Sequence, residues 1–464
     1  MIKLKNTLTR QVNILPLVYL RVVFGVVMIW EVWRYFDRDW VRTHYMLSPL
    51  SFPYLGLEWL QPLPGYGMVW VFVLVAVCGA CIALGLLYRL AAILFTLAFT
   101  YIFLLEQTYY LNHWYLVCLM GFVLCWLPAN HALAVDSWLR PGLRRRTVPA
   151  WYLLLPRFQV GIVYFYAGVA KLNADWLAGE PMRMWLAERD DLPLIGPYVR
   201  DEWLVGGFTY GGLLIDLLCM PLLMFVRWSR WPVMIALFTF HITNYYLFNI
   251  GIFPWLMILL LPLFLPAHWW DVLYPQTETR KEITAVQPLR GQRVIAVVLI
   301  AHVIVQILLP LRHHVIPGDV AWTEDGHKFS WRMKLRDKDG VAAFVIRAEE
   351  PRPRGWVVRP EMYVNRAQAS EISDEPDMLL QFVDFLEREW AADGYEDVVI
   401  YARVWVSLNG REYSYFVDPC LNMTTVDRQI INYDAGWMMP PTGDLQPGII
   451  PEPPNPMTVS LVCG

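Results

Sequence analysis

Charge is what this sequence has least of. Only 17% of its 464 residues are Asp, Glu, Lys or Arg, where soluble globular chains carry about 25%. That shortage, with so apolar a balance, argues against a disordered chain and against a soluble enzyme. A basic surplus is missing as well. The net charge is −3 and the isoelectric point 6.3, which speaks against a nucleic-acid partner, because phosphate backbones are held by clustered cations. The seven cysteines make no disulfide framework. Cys78, Cys81, Cys118, Cys125 and Cys219 lie in apolar runs, where the thiol acts as a small hydrophobe. No second Cys or His pair stands at metal-ligand spacing, so no metal is expected. Cys420 and Cys463 fall in a polar C-terminal region and can pair there in an oxidising compartment.

Apolar and aromatic residues are what the chain has in excess. Hydrophobic residues make up 57% of it, and 23 Trp and 24 Tyr suit a membrane–water interface. Nine apolar stretches approach bilayer-crossing length, at about 14–35, 67–87, 90–106, 113–128, 153–173, 207–226, 230–248, 250–267 and 292–311. The first is too long and too far into the chain for a cleaved signal peptide. Alternate loops hold the basic residues: Lys3, Lys5 and Arg10, then Arg89, then Arg140 with Arg144–Arg146, then Arg227 and Arg230, then Arg280, Lys281, Arg290 and Arg293. By the positive-inside rule these loops and the N-terminus are cytoplasmic, and nine crossings put the C-terminal part outside. The expected fold is an α-helical polytopic membrane domain over 1–312, followed by an extracytoplasmic α+β domain over 313–464. In the latter, 322–349 alternates as strands do, with Asp339-Gly340 as a hairpin turn. Apolar residues at 378–390 repeat at helical spacing. A second hairpin turns at Asn409-Gly410, and a Pro-rich extended tail begins at Met438. Gly161 and Gly168 sit within a helix and are expected to serve packing.

Against this background three polar sites stand out: Asn112-His113 opening the fourth span, Lys171 near the end of the fifth, and His241 with Asn244 inside the seventh. An ionisable side chain in a bilayer is paired, snorkelling or functional. Lys171 can snorkel, His113 can be an interfacial residue, and His241 can be a satisfied structural histidine. The topology, however, brings all three to one depth, toward the face of the C-terminal domain. An active site between helices is the economical account. A lysine in an apolar cage can act as a base near neutral pH. His and Asn can orient a polar head group, and Tyr164, Tyr166 and Trp176 can stack on a flat ring. A lipid-soluble quinone entering laterally from the bilayer fits these groups.

At these residues the sequence resembles the vitamin K-dependent gamma-glutamyl carboxylase family. The resemblance runs from Gln159-Val160-Gly161 through Lys171-Leu172-Asn173-Ala174-Asp175-Trp176 to Gly179 and Met182. Asn112-His113-Trp114-Tyr115-Leu116, Ala129-Asn130-His131 with Asp136, and Phe240-His241 with Gly251-Ile252-Phe253 support it. So do Trp322, Phe329-Ser330-Trp331, Trp405-Val406-Ser407 and Asp418-Pro419, in order and spacing. The resemblance implies a membrane enzyme using vitamin K hydroquinone (menaquinol or phylloquinol), O₂ and CO₂, with no metal. Oxygenation of the hydroquinone yields a strong base that takes a γ-proton from a peptide glutamate, and the carbanion captures CO₂. It implies catalytic roles for Lys171, His113 and His241. The quinone would lie against Asn112, Asn244, Tyr164 and Trp176, and the glutamate against Trp322, Ser330 and Trp331. The partners implied are the bilayer, the quinone and a Glu-containing peptide.

The chain departs from the animal enzymes at Ala170, where they have a second lysine, and at Arg336, where they have a histidine. The family's propeptide contacts and extra β-domain are expected to have no counterpart here. A bacterial-type homologue in an inner membrane, with the horizontally transferred transmembrane domain, is expected. Two other readings stay open: a quinol epoxidase or oxidoreductase that carboxylates no peptide, and a non-enzymatic scaffold or sensor.

Overall fold

A backbone surrounded by lipid must satisfy its own hydrogen bonds, so the apolar runs form helices. The computed structural model of the protein describes residues 2–48, 50–193, 195–248, 250–274, 292–348, 354–395, 397–428, 436–446 and 448–456. In chain order the principal helices are α1 (Leu15–Asp37), α2 (Gly67–Leu84), α3 (Tyr88–Leu105), α4 (Asn112–Trp126) and α5 (Trp151–Ala170). After them come α6 (Glu202–Phe225), α7 (Arg230–Phe248), α8 (Phe253–Leu260) and α9 (Gln292–Leu308). All nine expected runs are therefore helical, but fewer have the length and apolarity of a full crossing. Among the described residues six do: α1, α2, α3, α5, α6 and the helix that contains α9. The segment Phe253–Phe264, bent by 88° against Ala267–Leu273, makes seven if that pair is one span. Helix α4 is apolar but shorter. Arg280, Lys281 and Arg290, part of the expected charge pattern, lie outside the described residues, as do the side chains of Lys3 and Lys5.

Small residues let these helices approach closely, as lipid-embedded helices require. A Cβ added to Gly25 of α1 would stand 2.3 Å from the Gly79 carbonyl oxygen of α2. A Cβ on Gly168 of α5 would stand 2.9 Å from the Leu217 backbone nitrogen of α6 and 2.7 Å from its Cδ2. The packing role expected of Gly168 is thus a backbone-to-helix contact, whereas Gly161 has more room, 3.6 Å from Met220.

The C-terminal domain is a four-stranded antiparallel sheet, β1 (Lys338–Ala348), β2 (Arg354–Val358), β3 (Val398–Leu408) and β4 (Ser414–Tyr415), in the order β2-β1-β3-β4. Two helices, α10 (Arg366–Asp374) and α11 (Pro376–Ala392), share its apolar core. The Asn409-Gly410 turn is as expected, with both residues at positive φ. The expected turn at Asp339-Gly340 is not there. Those residues lie inside β1, opposite Ser407 and Val406. Gly340 is needed for another reason: a Cβ there would fall 2.5 Å from Asp374 Oδ1 and 2.7 Å from Ser373 Cβ, where α10 ends against the strand. Nor is the stretch before β1 a strand; it is a short helix, Val320–Thr323, followed by turns. The Pro-rich tail runs extended across the domain, with Met439 N donating to Phe416 O and Gly448 N to Glu180 Oε1. Cys420 is disulfide-bonded; Cys463, its expected partner, lies outside the described residues.

Candidate functional site

The close approach at Gly168 fixes what faces what. Tyr164, Gly168 and Lys171 are spaced four and three residues apart on α5 and so share one face. On α6, Asp216 adjoins Leu217, the residue that meets Gly168. The result is a buried ion pair: Lys171 Nζ donates to Asp216 Oδ2 at 2.7 Å, with side-chain exposures of 8% and 4%. Lys171 also stands 5.0 Å from the Trp176 ring centroid. The residues after α5 hold this arrangement from outside. Asn173 Oδ1 caps the next turn by accepting from Trp176 N at 2.9 Å, and Trp176 Nε1 donates to Thr209 O on α6. Asp175 turns outward, accepting from Arg411 at 2.6 and 2.8 Å and from Asn409 at 2.8 Å, both in the β3–β4 turn.

Helix α7 supplies the second polar pair. Tyr164 Oη and His241 Nε2 are 2.6 Å apart, and among the described residues the buried His241 Nδ1 has no hydrogen-bond partner. Tyr164, Lys171, Trp176, Asp216, His241 and Asn244 all line one cavity of about 520 Å³ whose other walls are mostly apolar. That is the volume range of small-ligand sites.

The structure thus brings together five of the ten sequence-predicted site residues, Lys171, His241, Asn244, Tyr164 and Trp176. The other five do not line this cavity. His113 is buried at the start of α4, behind Phe253: its ring lies 6.1 Å from the Phe253 ring, and His241 lies 6.0 Å from the same ring. Asn112 Oδ1 accepts from Tyr110 Oη at 3.1 Å. Trp322 belongs to the outer domain's core, where its Nε1 donates to Met439 O at 2.8 Å. Ser330 Oγ accepts from Arg312 Nη1 at 2.8 Å and donates to Gly326 O. Trp331 is fully buried and stacks on Tyr115 at 4.7 Å. Two residues beyond it the same segment does reach the cavity, through Met333 and Lys334. Tyr166, another stacking candidate, points elsewhere and donates to Ile307 O.

Two functional-looking carboxylates were missed by sequence reasoning. Asp216 is one. Glu31 in α1 is the other; it is paired with Arg34 at 2.6 Å, accepts from Trp114 Nε1 at 3.0 Å, and lies one turn from a guanidinium that borders Gly251 and His113. Each is a lone acid in an apolar run, a signal as plain as Lys171 itself. Pairing also changes the reading of Lys171: the apolar cage expected around it holds an acidic partner on the neighbouring helix.

A helical membrane body that encloses a buried ion pair and bears an α+β domain on one end defines the class, and the comparisons agree. The HTTM domain matches residues 9–269. The vitamin K-dependent gamma-carboxylase, lumenal domain, matches residues 291–443. The chain belongs to the vitamin K-dependent gamma-carboxylase family. It is a membrane protein whose C-terminal region is extracytoplasmic. No solved structure matches it. Among the described residues no group of three or more His, Cys, Asp or Glu is arranged to hold a metal ion.

Proposed function

We propose that the protein is a vitamin K hydroquinone-dependent gamma-glutamyl carboxylase, with the N-terminus in the cytoplasm, the membrane domain ending near residue 312 and the Lys171 cavity as its active site. The observation that carries this reading is the Lys171–Asp216 pair set into an apolar cavity. The residues present suit a quinol: flat aromatic and aliphatic walls, two polar pairs, and an unpartnered His241 Nδ1 able to bond one ring oxygen. When bound and oxygenated, the hydroquinone supplies the strong base that removes the glutamyl γ-proton.

The chain's own part is proton handling and exclusion of water. Lys171 Nζ can pass a proton to Asp216 Oδ2, which leaves a neutral amine and a neutral carboxyl. The free amine then takes the proton of a hydroxyl placed beside it, so the net acceptor is the pair rather than either residue. Tyr164 and His241, a polar pair on the cavity wall, would hold the quinol by hydrogen bonds. The apolar walls keep out water that would quench a strong base. His113, one ring behind the cavity, acts through Phe253.

The test is hydroquinone epoxidation and incorporation of labelled CO₂ into a Glu-containing peptide, run on the wild type, Lys171→Ala and Asp216→Asn. Loss of both signals in Lys171→Ala is expected; full activity there would refute the assignment. Epoxide without labelled peptide in the wild type would favour a quinol epoxidase. If the purified protein neither binds nor turns over menaquinol or phylloquinol, the scaffold reading prevails.

A further inference from the structure

The cavity has a second cation, supplied from the outer domain. Lys334 lines its mouth with Met333, and its ammonium sits 5.4 Å from the ring centroids of both Trp185 and Phe248. The placement is built, not incidental. Lys334 and Trp331 both hold positive φ, 46° and 58°, a conformation that costs a non-glycine residue about 1 kcal/mol or more. The next residue, Leu335, is buried in the same apolar cluster as Trp176, Met182 and Leu186. Asp337 Oδ2 accepts from Trp185 Nε1 at 2.6 Å, which fixes one wall of the aromatic slot. Neighbouring cations are committed to acids: Arg336 and Lys338 to Glu324, and Lys328 to Glu375. Lys334 is exposed; among the described residues no hydrogen bond or ion pair reaches its ammonium, and Asp337 acts on it at longer range against Arg336.

The charges lining the cavity therefore sum to one positive. Lys171 and Asp216 cancel, and Lys334 remains. A single flexible ammonium matches a monoanion, whereas a phosphate calls for an Arg fork or several donors. We propose that Lys334 is the specificity-determining residue that captures the side-chain carboxylate of the acidic peptide substrate at the mouth of the Lys171 cavity. This rests on the carboxylase reading above. The aromatic rings hold the ammonium while it is empty and yield to a carboxylate when one arrives.

The test uses the full-length protein in nanodiscs with hydroquinone, O₂, labelled CO₂ and a glutamyl peptide. Lys334→Met keeps the aliphatic stem between the rings and removes the charge. Its KM for the peptide is expected to rise at least tenfold with kcat within threefold, and Lys334→Arg is expected to restore the wild-type KM. The wild-type KM should also climb with ionic strength, and that of Lys334→Met should not. Should Lys334→Met fail to fold, Lys334→Gln and the salt dependence of the wild type decide the matter. An unchanged peptide KM in the charge-removing variant, or a wild-type KM flat with salt, overturns the assignment and leaves the carboxylase reading intact. A wild type that turns over quinol yet labels no peptide removes both.

Discussion

Asp216→Asn is the sharpest perturbation available, because it deletes one charge of the Lys171 pair and preserves its shape. The two groups are almost sealed from solvent and 2.7 Å apart. Removing one partner of a buried ion pair costs about 3–5 kcal/mol, chiefly because the other charge stays buried without compensation. Lys171 borders a cavity and keeps a 3.4 Å contact to Ala167 O, so the lower end applies, about 3 kcal/mol. That cost falls on folding; if the pair is the proton acceptor, the variant also loses the carboxylate that takes the Lys171 proton, which slows hydroquinone turnover by about 100-fold or more, the range for a general acid–base group. The assay is single-turnover epoxide formation under saturating hydroquinone, with the melting temperature as a control. The double variant Lys171→Met/Asp216→Leu separates chemistry from folding: an apolar replacement of both partners should recover stability, since such swaps are often neutral or stabilising, yet remain inactive. A folded Asp216→Asn protein within threefold of wild-type turnover would refute the paired-acceptor mechanism.

Three further outcomes are expected. Gly168→Ala puts a methyl 2.9 Å from the Leu217 nitrogen and should destabilise the protein by about 1–3 kcal/mol, while Gly161→Ala, whose methyl would meet Met220 at an ordinary 3.6 Å, should be neutral or stabilising in thermal melts. Arg411→Ala removes both guanidinium contacts to Asp175; a loss of about 1.5–3 kcal/mol and lower turnover are expected, and undiminished activity would show that the outer clamp is dispensable. Burial and the nearby Glu375 raise the carboxyl of Asp325 to about 7, Asp377 and Glu324 add to the rise, and Arg312 opposes it. Because the folded-state value lies above the unfolded one, its stabilising contribution is complete below about pH 4 and is lost as pH climbs through 7. The melting-temperature gain of Asp325→Asn over wild type should therefore grow from pH 5 to pH 8; a pH-independent difference would contradict this.

The helices were legible because lipid leaves an apolar run no other stable form. Full crossings were harder to count, since α4 is short and the segment containing α8 is bent by 88° against the helix that follows, which composition alone does not reveal. In the outer domain, Asn409-Gly410 announced its turn by residue type, yet the same logic failed at Asp339-Gly340. There the glycine answers a contact from α10, a tertiary cause that no local window contains. The site divides similarly. Lys171 and His241 were conspicuous as polar residues in apolar helices, but so was Asp216, and only the α5–α6 crossing shows that two of these anomalies neutralise each other. His113, expected at their depth, does not line their cavity, because depth along a helix says nothing about rotation around it.

The segment from Lys171 to Trp176 explains why so short a run could identify the site. Each polar residue in it meets a different requirement: Lys171 joins Asp216, Asn173 starts the next turn, Asp175 grips the β3–β4 turn, and Trp176 covers the lysine and ties itself to α6. The outer domain consequently acts on the cavity at two points, the Arg411 grip and the Lys334 mouth. Both would shift together if that domain moved against the helices, altering the roof over Lys171 and the entry for an anion at once. On the proposed carboxylase reading, an enzyme that must keep its interior dry and still admit a polar side chain gains from such a linkage, because admission and closure then depend on the same interface.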